Sequence, residues 1–215
     1  YHDYCCALCH KGAAILSKVS TTSSANSPWS LSTYRIVVAG VLAAITIVMG
    51  IVPGIGFIPV PNVTASATIE HVPTILGGVI GGPIVGMITG LVFGLVSFFR
   101  STTPLFKDPL VAIVPRILIG LVAWLVYAGL QRFNRSVAAF IAGFAGAATN
   151  TVFVITFAIW RGYLPPAVIP LILPQAIAEA VIAAILTTII AGAVQIVQGR
   201  YVRAPETKSR DQLPY

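Results

Sequence analysis

Residues 68–100 read TIEHVPTILGGVIGGPIVGMITGLVFGLVSFFR. They form the second half of an almost uncharged stretch that decides the fold. From residue 36 to residue 99, Glu70 is the only residue with a formal charge. A water-soluble protein covers its surface with charged side chains, so a stretch this long without them cannot form such a surface. We therefore expect lipid to surround most of the protein, which makes each polar residue inside it a functional candidate.

The composition of the whole chain agrees with a membrane protein. Of the 215 residues, 57% are hydrophobic and 9% are charged, and the mean hydropathy is +0.92, far from soluble averages. The net charge is +7, but the basic residues lie between apolar runs and form no stripe that would bind nucleic acid. We expect a disordered polar tail over residues 1–33, one membrane domain over residues 34–199 and a basic cytoplasmic tail over residues 200–215.

Six apolar segments approach the length of about 20 residues that a membrane-spanning helix needs. The second segment is predicted to begin near Thr64, a plausible N-cap, and to end at the glycines before Pro83. Because the second and third segments are short, a re-entrant hairpin is the structural alternative there. The sequence predicts an all-α integral membrane protein with a bundle of six transmembrane helices, over residues 34–52, 64–82, 83–99, 109–130, 136–160 and 167–197.

The positive residues predict the orientation, since cytoplasmic loops carry an excess of Lys and Arg. Arg132 and Arg135 lie in the short loop after the fourth segment, which is therefore expected inside. The loops expected outside carry Arg100, Lys107 and Arg161. With six crossings, both the N and C termini are then cytoplasmic.

Three cysteines stand together near the start of the sequence. Cys5, Cys6 and Cys9, with His10 beside them, could bind zinc or an iron–sulfur cluster. The alternative is a disordered tail or a non-native extension, which we favour because no second group of ligands follows along the chain. We expect no metal ion and no cofactor.

Several segments carry small residues spaced by four, which places them on one helix face where another backbone can come close. In the third segment these are Gly82, Gly86, Gly90 and Gly94, which we assign to helix packing. The first segment has Ala39 and Ala43 at the same spacing, a weak signal when taken alone.

Polar residues from several segments are expected to share the outer half of the membrane. Arg116 lies about seven residues into the fourth segment, or about 10 Å down. Inserting a charge costs at least about 2.5 kcal/mol, so Arg116 and Glu179 should face inward. We favour a polar pocket for an anionic group, covered by the loops at residues 53–62 and 101–108. The alternative is an Arg116–Glu179 or Arg116–Glu70 bridge that only locks the bundle, and His71 could equally be a packing residue. The candidate substrate-binding residues are Glu70, His71, Lys107, Arg116, Asn150, Gln175 and Glu179.

Catalysis finds no support in the motifs of the chain. The sequence contains no Gly-x-Ser-x-Gly, no His-Glu-x-x-His and no Walker A loop. We therefore expect no enzyme activity and no ATP hydrolysis by the chain itself.

Several stretches, taken in order, resemble a known family. They are residues 35–43 (RIVVAGVLA), 68–73 (TIEHVP), 77–94 (GGVIGGPIVGMITGLVFG), 114–120 (VPRILIG) and 148–151 (ATNT). Across residues 34–197 they resemble the substrate-binding (S) component of an energy-coupling factor (ECF) vitamin transporter.

The resemblance implies a multi-pass protein of a prokaryotic cell membrane that captures a vitamin outside. It implies association with a transmembrane T component and two ATP-binding-cassette ATPase subunits, after which the S component topples and carries its site inward. Ala39 and Ala43 match the docking motif Ala-x-x-x-Ala of the family. Arg116 and Lys107 favour a carboxylate-bearing vitamin such as pantothenate, and the few aromatic residues deep in the bundle disfavour a large flat ring.

Two other classes of function stay open. A stand-alone ion- or proton-coupled secondary transporter of a small polar solute could use Glu70, His71 and Glu179 as a relay, although no inverted repeat is evident. A membrane enzyme or assembly factor has no motif in its favour.

Overall fold

The described chain is a bundle of helices with one short antiparallel ribbon. The computed structural model describes residues 29–52, 57–59 and 66–202. The prediction for the cysteine cluster therefore lies outside the described residues. In chain order the elements are α1 (Thr33–Ile51), β1 (Phe57–Pro59), β2 (Ser66–Thr68), α2 (His71–Leu76), α3 (Pro83–Arg100), α4 (Pro109–Ala112), α5 (Val114–Leu130), α6 (Arg135–Trp160) and α7 (Ile169–Val202).

Five helical spans in the described part are long and apolar enough to cross a membrane, judged by length and composition. They are α1, α3, the continuous span formed by α4 and α5, α6, and α7 with the turn before it. Their ends follow local chemistry. The Ser32 hydroxyl caps α1, Asn134 caps α6, and Pro83 opens α3 at a position where its missing N–H has no cost. Large apolar side chains such as Val37, Phe144 and Ile189 point outward, which suits lipid and not water.

The second predicted segment is shorter than expected. Helix α2 has six residues and continues as a π-helical stretch, Gly77–Gly81. Together they reach about 16 Å, roughly half of the hydrocarbon core of a bilayer. The predicted start near residue 64 is wrong, because residues 66–68 are extended and pair with β1, with Phe57 opposite Thr68.

Two hydrogen bonds, one at each end, define the ends of the bundle. At the end that we call the Arg100 end, the Arg100 guanidinium donates to the carbonyl of Gly50, so the C-termini of α3 and α1 meet. At the opposite end, Gln198 donates to the hydroxyl of Tyr34. The chain therefore enters α1 and leaves α7 at the same end of the bundle.

Glycines bring three backbones together at one crossing. A Cβ added to Gly86 in α3 would lie 2.9 Å from the Cα atoms of both Gly78 and Gly120. Further along α3, a Cβ at Gly90 would lie 2.8 Å from the carbonyl carbon of Arg116. The stripe of glycines thus sets α5, and the residues it carries, directly against α3. Gly82 differs from the others in the stripe, because its φ of 95° makes the left-handed turn into α3.

Candidate functional site

A cavity of about 400 Å³ lies at the Arg100 end of the bundle. This volume falls in the range of about 300–1,000 Å³ that is typical of small-molecule sites. Helices α3, α6 and α7 each contribute side chains at helical spacing, and the rest of the wall comes from β2, α5 and the segment after α3. The lining residues are Thr68, Phe93, Ser97, Arg100, Ser101, Thr102, Thr103, Phe106, Arg116, Asn150, Thr151, Val154, Ile155, Ile172, Gln175, Ala176 and Glu179.

Arg116 is the buried cation of this cavity, with only 3% of its surface exposed. Its Nη1 donates to the carbonyl of Val111 at 2.6 Å. The guanidinium carbon lies 5.3 Å from the ring centroid of Phe93 and 5.0 Å from that of Phe106. Its buried Nε has no hydrogen-bond partner within the described part of the chain. A donor left in this state is costly, and an acceptor on a ligand would satisfy it.

The alternative prediction, a salt bridge from Arg116 to Glu70 or Glu179, is wrong for the described residues. In the described ranges, Arg116 makes no ion pair with Glu70 or Glu179. Glu70 is near enough to attract Arg116 and Arg100 electrostatically. The guanidinium therefore keeps the capacity to bind an anionic group directly.

A second polar part of the cavity wall is built around the carboxylate of Glu179. Its Oε1 accepts hydrogen bonds from Nε2 of Gln175 at 2.8 Å and from the backbone N–H of Thr68 at 3.2 Å. The bond from Thr68 attaches the end of the ribbon to α7. On α6, the buried Oδ1 of Asn150 has no partner among the described residues. The cavity thus offers a guanidinium, a carboxylate and an amide.

The seven predicted binding residues fall into two groups. Arg116, Asn150, Gln175 and Glu179 come together on the wall of the one cavity. The other three do not line it: Glu70 and His71 are buried, and Lys107 is exposed in the 3₁₀ turn Pro104–Lys107. A binding role for any of the seven remains a prediction.

Several residues of the wall were not predicted from the sequence. Phe93, Ser97 and Arg100 are spaced by four and three along α3, so the helical period could have grouped them. Phe106 gave no such signal, because it reaches Arg116 from a turn outside the long helices.

The two alanines predicted to dock a partner lie on the side of α1 that faces the interior of the bundle. Ala39 is only 7% exposed, and Ala43 is partly buried. One residue further on, Gly40 and Ala44 are exposed, and a Cβ at Gly40 would meet nothing within 4 Å. The open face of α1 therefore carries its own pair of small residues spaced by four.

Asp108 joins the loop after α3 to the loop after α6. Its Oδ2 accepts a hydrogen bond from Nε of Arg161 at 2.6 Å, and the Tyr163 hydroxyl lies 3.5 Å away. The hydrogen bond from Arg161 lowers the pKa of Asp108 from its ordinary value of 3.8. The same bond raises the pKa of Arg161.

This pKa shift predicts a pH-dependent contribution to stability. Because the pKa of Asp108 is lower in the folded protein, the stabilisation is present above its ordinary value and is lost as the pH falls through the folded value. We expect the difference in unfolding temperature between wild type and Asp108→Asn to be constant at pH above about 5 and to shrink in more acidic solution. Thermal unfolding of the detergent-solubilised proteins across a pH series measures it. A difference that grows on acidification would contradict the assignment.

Comparisons with known proteins agree with the fold. The solved structure of the S component of a bacterial ECF transporter is similar, with a TM-score of 0.54 and 18% sequence identity over 79% of this chain and 98% of that chain. At this identity the likeness concerns the fold alone. No curated protein matches the chain by sequence. The model of the family "ECF transporter, substrate-specific component" matches residues 34–191, most of the chain, and confirms the resemblance found in the sequence. The protein thus belongs to the family of ECF transporter substrate-specific components, which are multi-pass membrane subunits of transport systems.

Proposed function

We propose that this chain is the substrate-capture subunit of an ATP-driven importer for a water-soluble vitamin or vitamin precursor. It binds the solute outside the cytoplasmic membrane of a prokaryote, with both of its termini in the cytoplasm. It then hands the solute inward together with a transmembrane T component and two ATP-binding-cassette ATPase subunits. The observation that carries this proposal is the polar cavity around the buried, unbridged guanidinium of Arg116.

The chemistry of the walls supports a small anionic solute with further polar groups. Arg116 suits a carboxylate, since a guanidinium can give it two parallel hydrogen bonds. Asn150 and the carboxylate of Glu179 suit hydroxyl or amide groups on the rest of the solute. Pantothenate combines a carboxylate with hydroxyl and amide groups, and it is the vitamin that we propose.

One experiment separates this function from a stand-alone carrier. The full chain is purified in detergent, and the small molecules that co-purify are identified by mass spectrometry. We expect a bound vitamin, tight rebinding by the isolated chain, and uptake into liposomes only with the T component, the ATPase subunits and ATP. Uptake by the chain alone, driven by a proton gradient without ATP, would overturn the proposal in favour of a secondary transporter.

The open face of α1 gives a separate prediction about partner docking. Because Ala39 is buried in the bundle, a large residue there would disturb the fold as well as any partner. Replacing both exposed residues, Gly40→Trp and Ala44→Trp, should abolish ATP-driven uptake while ligand binding by the isolated chain stays unchanged. Uptake assays in liposomes with the complete transporter measure the effect.

A control for this prediction places the same bulk elsewhere on the outer surface. Ile189 on α7 is 62% exposed and Val152 on α6 is 59% exposed. The variant with Ile189→Trp and Val152→Trp should transport normally. If the α1 variant transports as well as this control, the exposed face of α1 is not the docking face.

A further inference from the structure

Asp108 holds together the short segment of residues 106–111, which contributes Phe106 to the cavity wall. Its Oδ1 accepts a hydrogen bond from the backbone N–H of Leu110 at 3.0 Å and so caps α4. Its backbone carbonyl accepts from the N–H of Ala112 at 2.9 Å. Its Oδ2 accepts the hydrogen bond from Nε of Arg161. One side chain thus fixes the start of α4 and connects it to the distant loop after α6.

The same segment contacts Arg116 through two of its residues. Val111, within α4, provides the carbonyl to which Nη1 of Arg116 donates at 2.6 Å. Phe106, two residues before Asp108, places its ring 5.0 Å from the guanidinium carbon. The direction in which the guanidinium points therefore depends on where residues 106–111 sit.

Helix α4 is a single turn of four residues at the start of the span that continues as α5. Helix ends fray, so tertiary contacts are needed to hold this turn in place. The tie to Arg161 is such a contact. The side chain of Asp108 is 4% exposed, whereas that of Arg161 is 50% exposed. The arginine thus anchors a shielded carboxylate from the solvent side.

We propose that Asp108, anchored by Arg161, positions Arg116 for the anionic group of the solute. Both are positioning residues, because neither lines the cavity. The loop after α6 thereby influences recognition of the solute without touching it. This inference rests on the proposed function in one respect, namely that the solute carries an anion that Arg116 binds.

The first test needs no ligand. The full-length wild type and the Arg161→Ala variant, both purified in detergent, are treated with phenylglyoxal, which modifies accessible guanidinium groups. Modification of Arg116 is followed by mass spectrometry, with the exposed Arg132 as an internal reference. We expect Arg116 to react slowly in the wild type and several times faster in Arg161→Ala, while Arg132 is unchanged.

Two further variants separate positioning from general destabilisation. Arg161→Lys keeps the charge beside Asp108 and should restore slow modification of Arg116. Asp108→Asn retains an oxygen that can cap α4 but loses the ionised acceptor, so it should behave like Arg161→Ala. An Arg116 that reacts at the wild-type rate in both Arg161→Ala and Asp108→Asn would overturn the inference, whatever the change in unfolding temperature.

The second test measures recognition with pantothenate and with pantothenol, in which an alcohol replaces the carboxylate. Arg161→Ala should weaken pantothenate binding by about two- to fivefold, the range expected for a partly exposed ion pair, and leave pantothenol binding unchanged. If the binding of both probes weakened equally, the Asp108–Arg161 contact would have only a structural role, and the inference would be overturned. If neither probe binds the wild type, the proposed substrate is wrong, and the modification of Arg116 alone decides whether Asp108 positions it.

Discussion

Replacing Arg116 with alanine is expected to lower the affinity for an anionic solute by at least about 30-fold. Truncating one partner of a buried, hydrogen-bonded charge pair typically costs about 2–5 kcal/mol, and each 1.4 kcal/mol is a factor of ten. The effect should be large because the guanidinium is almost fully buried and forms no ion pair with a carboxylate of the described residues. The guanidinium carbon of Arg116 also lies 5.3 Å from the ring centroid of Phe93 and 5.0 Å from that of Phe106. Equilibrium binding of the co-purified solute to the isolated chain measures the loss.

Two variants control this result. Arg132→Ala removes the same charge from an exposed turn at which the guanidinium lies 4.9 Å from the ring of Phe133, and it should bind normally. Arg116→Lys keeps the charge but loses the planar fork and the stacking on the two rings, so its affinity should be intermediate. An Arg116→Ala protein that binds as tightly as wild type would remove the physical basis of the proposed solute class.

Most helix ends could be predicted, because helix-breaking, capping or charged residues stand at the ends of the apolar segments. Proline and glycine stand where α3 begins, and Arg100 stands where it ends. Asn134 precedes the apolar run of α6 and caps it with its side-chain oxygen. These signals are local, so a single sequence is sufficient to read them.

The start of α2 could not be predicted in the same way. Residues 66–68 are Ser, Ala and Thr, which suit a short strand about as well as a helix end. Their extended form depends on pairing with β1, which lies earlier in the chain, and such pairing is a tertiary effect. A pattern of apolar residues cannot distinguish the two.

The depth of the candidate site residues along their helices could be predicted from the sequence. The directions in which their side chains point could not. Counting residues from the helix ends was enough to bring Arg116, Asn150 and Glu179 to one level. It could not show that the side chains of Glu70 and His71 are packed in the interior without lining the cavity. Those positions depend on how α1, α2 and α3 pack together. The contact between Glu70 and Gly50 illustrates this, since a Cβ on Gly50 would lie 2.5 Å from Oε1 of Glu70.

Replacing Gly120 with alanine is expected to destabilise the bundle strongly, whereas Gly129→Ala on the same helix should not. A Cβ at Gly120 would come within 2.6 Å of the Cα of Gly86, and backbone cannot move aside as a side chain can. Overpacking of this kind costs about 1–3 kcal/mol and occasionally more. At Gly129 a Cβ would meet nothing within 4 Å, so the substitution should gain up to about 1 kcal/mol from the better helix propensity of alanine. Thermal unfolding in detergent should therefore show shifts of opposite sign.

The Gly120→Ala substitution should also affect the site, because Gly120, where α5 crosses α3, lies one turn after Arg116 on α5. If alanine pushes α5 away from α3, Arg116 moves relative to Phe93, which is on α3. We therefore expect Gly120→Ala to lose solute binding even below its unfolding temperature, while Gly129→Ala keeps it. A Gly120→Ala protein that is folded, as stable as wild type and able to bind would mean that α3 and α5 do not meet through these glycines. The position of Arg116 would then need another explanation.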